Sequence, residues 1–268
     1  MVCGNDGAWE SALSPALEVS GLKKSFGGVA AVKGVDFAIS AGQAVALIGP
    51  NGAGKTTTFN LINGQIKPDA GRVSLHGVDI TGQAPELLFR LGVARTFQET
   101  ATFASMTVRE NVQMALLSHR HRAHSITALA TRECLRTAEG LLTDIGLAEL
   151  GRRVVSELAY GDLKRLELAM ALANNPRLLL MDEPTAGMAP AERELLMQLA
   201  VKTCLDRNVA LLFTEHDMDV VFGFADRVIV MNRGRIIAQG APADVRANDE
   251  VRAVYLGGAT AIKGASHA

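Results

Sequence analysis

An α/β fold built round a glycine-rich strand-to-helix loop and interrupted by a helical insertion is what this sequence predicts, and three observations predict it. Short, wholly apolar runs, Ala44–Ile48, Leu178–Met181 and Val209–Phe213, have the length and uniformity of parallel strands buried on both faces. A glycine-rich segment, Gly49 to Thr57, separates the first run from an expected helix. From about Ala84 to Ala173 the apolar spacing turns helical in character.

Taken in order, residues 1–16 are mostly small and polar and read as a loose tail. Strand-like runs follow at Leu17–Ser20, Val35–Ile39, Ala44–Ile48 and Arg72–Leu75, with a helix expected after Gly54. Thr107 and Glu110 form the pattern of a capping box and predict a helix through Leu117. Leu135, Ala138, Leu141, Leu142 and Ile145 give one face of another helix. Leu163, Leu166, Ala169, Met170 and Ala173 give a third, which Pro176 stops. Pro190 suits a first helical turn and leads a helix to about Leu205. Arg227–Met231 and Arg235–Ala238 around Asn232–Gly234 read as a hairpin.

The chemistry is concentrated in two places. Gly49-Pro50-Asn51-Gly52-Ala53-Gly54-Lys55-Thr56-Thr57 matches G-x-x-x-x-G-K-[ST] between a strand and a helix. Its glycines let successive backbone N–H groups curl round phosphates, and the following helix turns its positive end to the same anion. Lys55 supplies a charge to the β- and γ-phosphates, and Thr56 a hydroxyl for Mg2+. The second place is Asp182-Glu183, at the end of the Leu178–Met181 run. A carboxylate there sits on the sheet's carboxyl edge with the phosphate loop, Asp182 placed for Mg2+ through water and Glu183 for polarising an attacking water. On its own such a pair is more often a helix cap; the phosphate loop is what favours the catalytic reading.

Further segments narrow the class. Leu158-Ala159-Tyr160-Gly161-Asp162 and the helix it opens resemble the signature motif of ABC ATPases, at the family's spacing from Asp182-Glu183. Gln98, in Arg95-Thr96-Phe97-Gln98, resembles the Q-loop glutamine, which implies contact with Mg2+ and water. His216 resembles the switch histidine at the γ-phosphate, and Phe26 the aromatic that stacks on adenine. The resemblance spans about Leu17 to Leu256. It implies a phosphate-loop (RecA-like) ABC ATPase core with an antiparallel β subdomain and a helical signature subdomain. The expected layout is one ATPase domain over 17–256, its insertion at about 84–173, and a tail over 257–268.

Within the family the chain is most similar to the ATP-binding subunits of branched-chain amino-acid importers. Arg95–Gln98, the Leu-Ala-Tyr-Gly signature, Ala186-Gly187-Met188, Glu215–Met218 and the ending Val251–Gly257 carry that similarity. The ending is also similar to lipopolysaccharide-export ATPases, whose signature is closer to Leu-Ser-Gly-Gly-Glu. A soluble ABC protein is the third reading, but such proteins usually carry two cassettes or a long coiled coil, and this chain has one phosphate loop. The implied cofactors are ATP and Mg2+. The implied partners are membrane-spanning permease subunits, a second ATP-binding subunit sandwiching two ATP molecules and, indirectly, a substrate-binding protein. The implied location is the cytoplasmic face of the membrane. Ala101, Phe103 and Met106 are apolar in an otherwise polar connection and are candidates for docking the permease. Three residues depart from the family pattern: Ala159 replaces a serine, Asp162 a glutamine and Ala189 an aspartate.

Composition sets limits. A formal charge of −1 gives no basic excess for nucleic acid. No run approaches the roughly 18 apolar residues of a spanning helix, and the first residues lack a signal-peptide pattern. Three scattered cysteines, Cys3, Cys134 and Cys204, argue against a disulfide framework and fit a reduced cytosolic setting. The run His119-Arg120-His121-Arg122-Ala123-His124 reads as a solvated loop, because its arginines repel a metal cation.

Overall fold

The computed structural model describes residues 15–96, 102–119 and 132–255. Among these residues ten strands form two sheets. The smaller has four strands in the order β2-β1-β4-β5: β1 (Leu17–Phe26), β2 (Val29–Ile39), β4 (Ala70–Leu75) and β5 (Val78–Asp79). All its pairings are antiparallel, as expected for a β subdomain. The larger has six, in the order β10-β9-β3-β8-β7-β6: β3 (Ala44–Ile48), β6 (Val93–Thr96), β7 (Leu178–Asp182), β8 (Ala210–Thr214), β9 (Arg227–Asn232) and β10 (Arg235–Gly240). Five of these run parallel; only the edge strand β10 is antiparallel, to β9.

The helices of the described residues include α1 (Lys55–Ile62), α2 (Pro85–Leu91), α3 (Val108–His119), α4 (Arg132–Asp144), α5 (Tyr160–Leu172), α6 (Pro190–Asp206), α7 (Met218–Phe224) and α8 (Pro242–Ala247). The large sheet separates two cores, and its strands feed them alternately because successive side chains point to opposite faces. Ala44, Ala46, Ile48, Leu179, Met181, Leu211 and Phe213 face the helices. Val45, Leu47, Leu178, Leu180, Ala210 and Leu212 face α1 and the small sheet. This is why the central runs are apolar throughout. At roughly 1.5–3 kcal/mol for each large side chain removed from water, these two layers dominate the stabilisation.

Three expectations are met with changed bounds. The strand expected at Leu17–Ser20 continues to Phe26, because β1 turns through Gly27 and Gly28, both at positive φ, into a long hairpin with β2. The expected Val209–Phe213 strand begins one residue later. In the β9–β10 hairpin, Arg233 and Gly234 have φ of 48° and 82°, the paired left-handed residues that suit a tight turn between twisted strands. Thr107 and Glu110 cap α3 as expected: the Thr107 N–H donates to Glu110 Oε2 at 2.8 Å, and the Glu110 N–H to Thr107 Oγ1 at 3.3 Å.

One expectation is corrected. The span read as helical from Ala84 contains β6, which pairs in parallel with β7 and closes the large sheet. Four residues with an arginine among them show neither alternation nor an apolar run, so the strand is set by its neighbour rather than by its own pattern.

Candidate active site

The parallel strands place their carboxyl ends side by side, and the candidate residues gather there. Phosphate-loop residues Gly49 to Gly54 join β3 to α1. Glycine is demanded sterically at both ends of this loop. A Cβ on Gly49 (φ 153°) would lie 2.2 Å from the Met231 carbonyl oxygen, and one on Gly54 (φ 105°) 2.6 Å from that of Ala31. The loop is therefore pressed between β9 and the β1–β2 hairpin. That contact also places Phe26, 47 % exposed at the end of β1, on the hairpin that borders the loop. Lys24 Nζ lies 5.6 Å from its ring.

Lys55 begins α1 and is buried, with Nζ donating to the carbonyls of Gly49 at 2.6 Å and Pro50 at 3.3 Å. Burial lowers its pKa; the carboxylates of Glu183 and Asp182 act in the opposite sense. Thr56, next along, is exposed.

Asp182 ends β7 opposite Thr214 of β8 and is buried. Both of its oxygens are held. Thr214 Oγ1 donates to Oδ1 at 2.6 Å, and an Arg95 guanidinium nitrogen to Oδ2 at 3.1 Å. Glu183 follows with φ of 48°, a left-handed conformation unusual for a residue with a Cβ and costing on the order of 1–3 kcal/mol. Its N–H donates to Thr214, carbonyl at 3.1 Å and hydroxyl at 3.0 Å, which holds the bend. Its Oε1 lies 2.8 Å from His216 Nε2. Three candidates, Asp182, Glu183 and His216, thus meet around Thr214, with Lys55 close enough to feel both carboxylates.

The fit to Mg2+ rests on the donor set. A free hydroxyl at Thr56 and a carboxylate at Asp182 are the hard oxygen ligands this ion takes. No three His, Cys, Asp or Glu side chains form a cage among the described residues, so phosphate oxygens would complete the coordination. With both Asp182 oxygens engaged, an approach through water fits better than direct ligation.

The Leu158–Asp162 segment forms the start of α5, with Ala159 at the N-cap and no side chain capping the first turn. Tyr160 is 47 % exposed, and its hydroxyl donates to the Ala186 carbonyl at 3.3 Å. Asp162 pairs with Arg165, which also donates to the Gly146 carbonyl at 3.0 Å. Gly161 packs against α6: a Cβ there would stand 2.7 Å from Glu192 Oε1. Tyr160 and Lys164 face Asp182, Glu183 and Pro184 across a cavity of about 60 Å³. Among the described residues, no hydrogen bond joins Leu158–Asp162 to Gly49–Thr57 of the same chain.

Gln98 lies outside the described residues, as do Ala101 and most of the His119–His124 run. Several residues at the site were not singled out from sequence. Thr214 holds Asp182 and Glu183 together. Buried Glu215 accepts from the Thr185 N–H at 2.9 Å and hydroxyl at 2.7 Å, fixing the loop after Glu183. Arg95, read only as part of a motif, carries the other half of the grip on Asp182. A charged residue in a strand of a buried sheet was the available signal.

Comparison with known proteins agrees with this geometry. A family model described as "ABC transporter" matches residues 32–186, and one described as "Branched-chain amino acid ATP-binding cassette transporter" matches 235–261. The high-affinity branched-chain amino acid transport ATP-binding protein BraF of Pseudomonas aeruginosa is 40% identical over 252 residues, 91% of this chain and 98% of that protein. An ATP-binding cassette of an ABC transporter, solved in its ADP conformation, superposes with a TM-score of 0.80 at 31% identity, covering 91% of this chain and 99% of that one. A dimeric cassette in a post-hydrolysis state with ADP and Pi gives 0.70 at 26% identity, over 84% and 98%. With a family model matching more than half of the chain and relatives matched over nearly their whole length, the chain belongs to the ABC transporter family, as one of its ATP-hydrolysing subunits.

Proposed function

We propose that this subunit energises import of branched-chain or related amino acids, with Glu183 as the group that activates water. The observation that carries the chemical part is the setting of Glu183. It stands at the carboxyl end of β7 in a strained backbone conformation, its carboxylate 2.8 Å from His216 Nε2 and beside buried Lys55. The phosphate loop binds the nucleotide's phosphates through its N–H groups and the start of α1, and Lys55 turns from the loop carbonyls to the β- and γ-phosphates. Glu183 orients a water in line with the γ-phosphorus and accepts its proton. A water oxygen–phosphorus bond forms, the bond to the β-phosphate oxygen breaks, and ADP and phosphate leave. His216 steadies the carboxylate, and Phe26 stacks on the base. Bound Mg2+, held through Thr56, Asp182 and Gln98, would neutralise phosphate charge.

Two copies pair so that the start of α5 of one faces the phosphate loop of the other. In support, Leu158–Asp162 has no bond to its own loop, its first turn is uncapped, and a dimeric cassette is among the similar structures. No helix of the described residues is long and apolar enough to cross a membrane, so permease subunits supply the pathway and hold the cassette at the cytoplasmic face. A substrate-binding protein delivers the cargo. The segment after residues 97–101 suits docking. Phe103 is 49 % exposed while its own N–H and carbonyl are pinned by buried Asn111 at 2.7 and 3.1 Å, so the ring is presented by a fixed backbone. Beside it, a cavity of about 260 Å³ is lined by Leu88, Ala115, Met170 and Ala171. The amino-acid reading rests on the named relative and the match at 235–261.

The test is uptake of labelled leucine, and of an unrelated solute, by vesicles carrying this subunit with its permease and binding protein. Leucine uptake that requires ATP is expected. Transport of lipid instead, or none, contradicts the cargo reading. Phe103→Asp is expected to leave isolated ATP hydrolysis within about twofold and to abolish co-purification with the permease. Equal loss of both would mean a folding defect, and retained assembly would place docking elsewhere.

A further inference from the structure

Arg95 does more than complete a sequence motif. Its guanidinium is mostly buried, with 15% of the side chain exposed, and bonds outward in three directions. One nitrogen donates to Asn60 Oδ1 at 2.9 Å and Gln65 Oε1 at 3.1 Å, the first on α1 and the second just beyond it. The other donates to Asp182 Oδ2 at 3.1 Å, where the acceptor side chain is only 6% exposed. Its own backbone lies in β6, the strand beside β7, with Arg95 in register with Leu180. One planar cation therefore ties together the phosphate-loop helix, the carboxylate at the end of β7, and the strand that leads into residues 97–101.

We infer that Arg95 is a positioning residue for the metal carboxylate: it fixes which oxygen of Asp182 faces the nucleotide, and so sets the subunit's Mg2+ requirement. A carboxylate free to rotate could present either oxygen, directly or through water. Here Thr214 takes Oδ1 and Arg95 takes Oδ2, so the group is locked in one orientation before any cation arrives. A guanidinium suits this task better than an ammonium, because its fixed fork reaches Asn60, Gln65 and Asp182 at once. The same cation lowers the net negative charge that Mg2+ meets. Losing Arg95 would thus raise local charge and free the carboxylate, with opposite effects on affinity. We commit to the orientational effect, because Asp182 reaches the ion through water and the placement of that water is what the lock secures.

This inference rests on the reading of Asp182 as the Mg2+ residue, so the experiment includes Asp182→Asn. Binding of a fluorescent ATP analogue is followed at equilibrium, first in EDTA and then across a Mg2+ titration, with circular dichroism on each variant. Asp182→Asn is expected to raise the half-saturating Mg2+ at least tenfold. Arg95→Met is expected to raise it about five- to tenfold, and Arg95→Lys less, with EDTA binding within twofold of wild type throughout. Should Arg95→Met fail to fold, leaving Asp182 buried without its cation, Asn60→Ala decides instead; it removes one anchor of the guanidinium and is expected to give a shift of about twofold. If Asp182→Asn raises the requirement while a folded Arg95→Met, or Asn60→Ala in its place, matches wild type, Arg95 does not position the carboxylate. If Asp182→Asn itself matches wild type, the magnesium reading falls, and the inference with it.

Discussion

Gly49 and Gly54 show how far a single missing atom shapes this site. A Cβ at Gly49 would overlap the Met231 carbonyl at 2.2 Å, whereas at Gly52 (φ 77°) nothing lies within 4 Å. Gly49→Ala should therefore cost roughly 2–5 kcal/mol, from steric overlap added to left-handed strain. Gly52→Ala should cost only about 1–2 kcal/mol, from the strain alone. Urea unfolding of the two variants checks this; equal losses would mean that loop conformation, not contact with β9, governs both. Lys55, Asp182, Glu183 and His216 could be nominated from the sequence, because the phosphate loop makes a charge after a later buried strand a candidate where alone it would read as a helix cap or a packed side chain. Thr214 could not. A threonine ending a strand is ordinary, and only the register with Asp182 reveals that its hydroxyl holds the Asp182 carboxylate while its hydroxyl and carbonyl hold the Glu183 N–H.

Among the elements, those with a strong local pattern matched expectation and those formed by partnership did not. The helix after Thr107 was readable from its capping box, and β3, β7 and β8 from their uniform apolarity. The half of the β1–β2 hairpin beyond Leu17–Ser20 and Val35–Ile39, and the whole of β6, were not, since their residues are mixed and their pairing partners supply the order. Ala189 is a departure with a consequence at this level. It stands at the N-cap of the seventeen-residue α6 with extended φ and ψ of −65° and 152°, the right conformation for a cap but without a side chain to serve as one. The only reciprocal contact is Glu192 Oε2, which accepts from the Ala189 N–H at 3.3 Å. Ala189→Asp should therefore stabilise the subunit by about 1 kcal/mol, because a carboxylate there accepts from a free N–H of the first turn and favours the helix dipole. A rise in the urea midpoint at unchanged slope is expected. No rise would show that repulsion from Glu192 cancels the cap.

For the whole molecule, the parallel large sheet is what turns scattered sequence segments into one site. Residues 49–57, 95, 182–183 and 214–216 come from four strands, and they meet because those strands point the same way. Order along the chain therefore pointed to the candidate edge, while the contacts across it had to be read from register. The signature segment belongs to a different scale: it lies against Ala186 and Glu192 of its own chain and completes the proposed site in a second copy. Glu183 carries the proposed chemistry, and single-turnover hydrolysis by Glu183→Gln, measured beside ATP binding, tests that role most directly. At this position glutamine keeps the shape and cannot take the water's proton. Hydrolysis is predicted to fall at least about 100-fold, with ATP affinity within about threefold of wild type and an ATP-bound dimer accumulating on sizing. Hydrolysis at the wild-type rate would contradict the account.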